Sequence, residues 1–124
     1  MHGFADDNMS LAELAQTILD YSRERLELDP VPLDYTLTPE QLFDRVGNTI
    51  TEDGLGGDRA MDIFAEVLAP ACLSIDHPRY LSFIPCAPTR EAAMFDLVVG
   101  ASALYAGSWL EGSGAVYAEN QALR

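Results

Sequence analysis

The stretch from Thr89 to Leu110, TREAAMFDLVVGASALYAGSWL, decides the fold. Thr89 is a good N-cap, and the residues after it read as a helix over roughly Arg90 to Tyr105. From Leu97 to Leu110 no charged residue occurs. A helix that is apolar on every side must be buried on every side. Gly100, Ala101, Ala103, Ala106 and Gly107 are small and let other backbones come close, which suits a crowded interior. The remaining helices are short and cover only part of such a surface. Either the chain associates with further copies, or these residues belong to a larger domain. A compact bundle around one very apolar central helix is the third arrangement.

The sequence upstream is helical in the same style. Ser10-Leu11-Ala12-Glu13 is a capping box, predicting a helix from about Leu11 to Leu28. Leu11, Leu14, Ile18, Tyr21 and Leu28 form its apolar seam, interrupted by Arg25. Asp29-Pro30-Val31-Pro32 stops that helix, and an extended linker runs to Leu37. Thr38-Pro39-Glu40-Gln41 opens a second, short helix that ends near Gly47. Glu52 to Gly57 is a glycine-rich turn, and Asp58 is the expected N-cap of a third helix reaching about Ala69. Met61, Phe64, Leu68 and Ala71 make its stripe, and Pro70 kinks or ends it. His77 to Pro88 holds three prolines and reads as extended backbone, with a short strand expected at Tyr80 to Ile84. A turn around Glu111 to Ser113 precedes a fifth helix from near Gly114. No stop signal follows before Arg124, so the expectation is a domain truncated at its C-terminal end.

Composition narrows the function. Twenty acidic residues face seven basic ones, for a net charge of −13. Such a surface repels phosphate backbones and anionic membranes, which argues against nucleic-acid and membrane partners. The uncharged run is too short to span a bilayer. The first ten residues carry Asp6 and Asp7 and no apolar core of a secretory signal, so a cytoplasmic protein with Cys72 and Cys86 reduced is expected. All seven basic residues are arginine, and the chain has no lysine. Schiff-base chemistry with a carbonyl cofactor needs a lysine amine, so any such chemistry must draw it from elsewhere.

Other candidate chemistry is thin. Asp76-His77 is too little for a metal site, and His77 before Pro78 reads as a turn residue. Cys86 with His77 resembles a thiol nucleophile and base only in composition, and a lone thiol is more often a small packed hydrophobe. Ser113 lacks the strand that a nucleophile elbow requires, so capping explains it better. Gly54-Leu55-Gly56-Gly57 follows no strand and matches no phosphate-loop pattern; a helix connection fits it.

One ordered set of motifs goes further. His77-Pro78-Arg79-Tyr80, then Ser82-Phe83-Ile84-Pro85, then Pro88-Thr89 resembles a segment of the group II pyridoxal-phosphate-dependent amino-acid decarboxylases, the family of the aromatic-amino-acid, histidine and glutamate enzymes. Asp96 stands where that family has an aspartate in an apolar helix. Trp109, the small-residue turn after it and the helix Ala115 to Leu123 resemble the family's next segment, with Glu119 near its acidic positions. The resemblance is closest from about Pro70 to Arg124 and extends loosely back to Leu11. Cys86 stands where family members often carry Thr or Gly, and Gly114 where a proline is common.

The resemblance implies a mostly α piece, the helical N-terminal segment of a fold-type I enzyme, incomplete without the large α/β domain. Residues 1–9 would be a flexible start, 10–75 helices that wrap the other subunit of a homodimer, and 76–124 an extended segment plus the buried helix. Phe83, Ile84, Pro85 and Cys86 would line the substrate entrance, facing an amino-acid substrate. The lysine that carries pyridoxal 5'-phosphate, the histidine stacked on its ring and the aspartate at its pyridine nitrogen would lie past Arg124. This chain would then hold no catalytic, cofactor-binding or metal-binding residue. The contrasting expectation, from another class, is a stand-alone helical association module.

Overall fold

The computed structural model describes residues 9–33 and 35–124. The expected flexible start at residues 1–9 lies, Met9 apart, outside the described residues. The chain is mostly helical, with no strand among the described residues. It divides into two compact units, one reaching to Cys86 and the other Ala87–Arg124.

In the first unit, α1 runs Leu11–Glu27 and begins on the expected capping box. The Glu13 N–H donates to Ser10 Oγ (3.3 Å), and the Ser10 N–H donates to Glu13 Oε2 (2.7 Å). Two donors that a helix start leaves unpaired are thereby satisfied. The chain then turns through Asp29–Pro30, a cis peptide, into the linker, where Val31 is buried. α2, Pro39–Val46, opens on the second capping box, with Pro39 in its first turn. It closes at Gly47, whose N–H donates to Phe43 O at 2.7 Å. Gly47 sits at φ 71°, ψ −156°, a region open to glycine and essentially closed to side-chain-bearing residues.

α3, Gly57–Ile63, runs directly into a wider π-helical turn, Phe64–Leu68. The Ala69 N–H reaches back five residues to Phe64 O (2.8 Å). Pro70 has no N–H to extend the ladder, and the helix ends there as expected. The start of α3 departs from expectation. Its N-cap is Gly56, not Asp58, which lies inside the first turn. Gly57 lets this end of α3 meet α1 closely: a Cβ there would fall 2.8 Å from Leu14 Cδ2. Tyr21 of α1 meets Phe64 edge-on, ring centres 5.8 Å apart at 73°. The buried residue of this helix is Ile63, which the expected stripe of Met61, Phe64, Leu68 and Ala71 omits. Past Phe64 the wider π turn shifts Leu68 and Ala71 from the row that a regular 3.6-residue period would align.

In the second unit, α4 is Arg90–Ala101, capped by Thr89 Oγ1 accepting from the Ala92 N–H (3.2 Å). It ends four residues before Tyr105, at a turn where Ser102 Oγ donates to Val98 O (2.8 Å) and Ala103 takes φ 49°. α5, Trp109–Ala122, starts earlier than its expected origin near Gly114. Gly112, at φ −141°, kinks it inside the expected turn of Glu111 to Ser113. That position needs glycine, because a Cβ would meet the Tyr105 carbonyl. The first turn belongs to Ser108, whose hydroxyl donates to Glu111 Oε2 at 2.7 Å.

Among the described residues the buried apolar side chains are Val31 and Ile63, each 5% exposed. No residue of α4 is buried. Leu97, Val98 and Val99 are 50%, 54% and 48% exposed, and Phe95 is 67% exposed. The helix that the sequence marks as needing a cover thus leaves these side chains exposed in its own unit.

The capping box of α1 gives the first prediction. The Ser10 hydroxyl and N–H hold the Glu13 carboxyl below its ordinary range. A depressed carboxylate contributes above the unfolded value, and that contribution is lost as pH falls through the folded one. Amide exchange across the first turn of α1, corrected for the intrinsic pH dependence, should therefore speed up as pH drops below about 4. Ser10→Ala should cost about 1 kcal/mol at neutral pH, seen as roughly fivefold faster exchange of the Glu13 amide. Unchanged exchange in both experiments would mean that the box does not form.

Candidate functional site

The residues that the resemblance assigns to a substrate entrance lie together at the end of the first unit. The extended reading of His77 to Pro88 is corrected: a turn closed by the Tyr80 N–H on His77 O opens the segment, and a bend at residues 82–84 replaces the strand expected at Tyr80 to Ile84. A lone strand has no neighbour here to pair its backbone. Phe83 and Ile84 are 83% and 98% exposed, and Pro85 and Cys86 are exposed beside them. Phe83 takes φ 62°, in the left-handed region. That conformation costs a non-glycine residue about 1–3 kcal/mol and persists where surroundings hold it.

Upstream, the backbone is organised by His77. The His77 N–H donates to Ser74 O (3.1 Å), and the Tyr80 N–H donates to His77 O (2.8 Å). The Arg79 N–H donates to His77 Nδ1 at 3.0 Å, so that ring nitrogen accepts. His77 is thus a turn residue, engaged with its own backbone rather than aimed at Cys86.

Asp76 is the charged partner that the sequence reading did not connect. Arg25 of α1 donates to it through both terminal nitrogens, Nη1 to Oδ2 at 2.7 Å and Nη2 to Oδ1 at 2.8 Å. Two parallel bonds are the geometry for which a guanidinium is shaped. Hydrogen bonding from Arg25 holds the Asp76 carboxyl below its usual range, against the smaller opposing effect of partial burial. The sequence carried one signal for this pair: a charged Arg25 in an otherwise apolar seam. It carried none for the partner, fifty-one residues away.

The remaining singled-out residues have local roles. Gly54, with φ 77°, and Gly56 belong to the turn before α3. Cys72 donates to Leu68 O (3.3 Å) at the end of the π turn, and Ser113 follows the Gly112 kink. No cluster of three or more His, Cys, Asp or Glu suited to a metal ion occurs among the described residues. None of the described helices is long and apolar enough to cross a membrane.

What the segment offers chemically is a surface. It presents two large apolar side chains, a proline and a thiol, and no acid, base or nucleophile–base pair. Comparison with protein-family models, with curated proteins and with solved structures finds no match.

The ion pair gives the second prediction. The Asp76 side chain, followed by NMR, should titrate below the ordinary value near 3.9, and Arg25→Gln should return it toward that value. The pair's contribution is present above pH about 4 and is lost as pH falls through the lowered folded value. Because both side chains are about one-third exposed (32% and 34%), its stabilisation is at most about 1 kcal/mol. Identical titration in the two proteins would remove the pair from solution.

Proposed function

We propose that this chain is the N-terminal part of a pyridoxal-phosphate-dependent amino-acid decarboxylase, a cytoplasmic carboxy-lyase of amino-acid and carboxylic acid metabolism. It supplies dimer interface and substrate-entrance residues and is not active alone. The observation that carries the reading is the uncovered α4. A helix that leaves Phe95, Leu97, Val98 and Val99 about half exposed or more, with no buried side chain, calls for a cover, and the large α/β domain of such an enzyme would supply one. The motif order from His77 through Asp96 to Glu119 supports the same reading. Phe83, Ile84, Pro85 and Cys86 would shape the entrance and contribute contact surface to the amino-acid substrate.

The chain's own residues do not fit the cofactor. The lysine amine that would hold this cofactor is missing from the polypeptide. No chemical step is assigned to it, and the decarboxylation would be carried by the remainder of the enzyme, with a homodimer completing the site.

A second reading rests on the same exposed helix: α4 covered by further copies of this chain, as a helical association module without catalysis. The coding sequence after the Arg124 codon separates the two. A frame, continuous or adjacent, that encodes a large domain with the cofactor lysine supports the decarboxylase; its absence contradicts it. Mixed with pyridoxal phosphate and dialysed, the isolated chain should retain no visible absorption band. A band that survives dialysis would overturn the account of an N-terminal part without its own cofactor site.

A further inference from the structure

We infer that Arg25 is a positioning residue: its ion pair with Asp76 clasps α1 to the turns that launch Leu81–Cys86. This deepens the proposed function, since that reading makes the same segment a substrate entrance.

The argument starts from the reach of the pair. The other side-chain hydrogen bonds described above join residues no more than four apart, in caps, turns and helix ends. Arg25 to Asp76 spans fifty-one residues. It therefore fixes a tertiary relation rather than a local one. Being bidentate, it sets the orientation of the carboxylate as well as its place.

That orientation is passed on. From Ser74 to Tyr80 the backbone is closed by two successive turns, His77 N–H to Ser74 O and Tyr80 N–H to His77 O. The His77 ring takes the Arg79 N–H between them, and Pro78 restricts its own φ. Asp76 to Tyr80 is thus a short stiff arm, held at one end by α1. Immediately beyond it come the exposed Leu81, Phe83 and Ile84, with Phe83 in a left-handed conformation that needs support from outside. An apolar segment in an uncommon conformation, mounted on an arm anchored by this ion pair, is positioned by that anchor. Without the pair the arm swings, and Phe83 relaxes to ordinary backbone.

The test is limited chymotrypsin digestion of the full chain, following cleavage within Tyr80–Ile84 against cleavage after Phe43 on α2. Arg25→Gln and Asp76→Asn should each raise the first rate about two- to fivefold, as expected for loss of one part-exposed ion pair. The Phe43 rate should stay unchanged. The reversed pair, Arg25→Asp with Asp76→Arg, should bring the first rate back to within about twofold of the original, a rescue that a merely structural arginine would not show. Unchanged rates in the single variants, an equal rise at Phe43, or no rescue would each overturn the clasp. The assay uses neither cofactor nor substrate. Its failure would leave the decarboxylase reading standing, and an absent downstream domain would leave the clasp standing.

Discussion

A helix rich in apolar residues with no side chain buried is the constraint from which the rest of this structure follows. Water charges about 25 cal/mol for each Å² of apolar surface left exposed. α4 leaves Phe95, Leu97, Val98 and Val99 about half exposed or more. The first unit has Val31 and Ile63 as its buried apolar side chains among the described residues, and Tyr21 of α1 meets Phe64 of the π turn edge-on. Nothing comparable orders α4 and α5 within the second unit. The chain has the local signals of a folded protein, in its caps and turns, without the buried area that normally accompanies them.

Those local signals were readable. Ser10 with Glu13, and Thr38 with Gln41, form their boxes as written, because a cap depends on residues three apart and on nothing else. Gly47 and Pro70 end their helices for equally local reasons. What failed depended on geometry beyond the local pattern. Gly56 rather than Asp58 is the N-cap of α3, whose first residue, Gly57, lies against Leu14 of α1, a contact that the local pattern does not contain. Ile63 falls two residues after Met61 and one before Phe64, off the stripe that a 3.6-residue period selects. The strand at Tyr80 to Ile84 was a propensity reading without a partner strand.

At the candidate site the balance is similar. The sequence located the segment, and its order of motifs carried the family resemblance. It did not reveal that Phe83 adopts a left-handed backbone or that Arg25 finds Asp76. A basic residue in an apolar seam marks a departure from pattern, but a pairing across fifty-one residues is a property of the fold.

Scanning calorimetry of the isolated chain probes the central claim most directly. A self-sufficient domain of this length would absorb about 0.7 kcal/mol per residue in one cooperative peak near 60 °C. The account predicts a broad, weak transition, with helical circular dichroism retained and a hydrophobic dye bound before heating. A sharp peak whose calorimetric and van't Hoff enthalpies agree would contradict it, because the helices would then be complete without further cover.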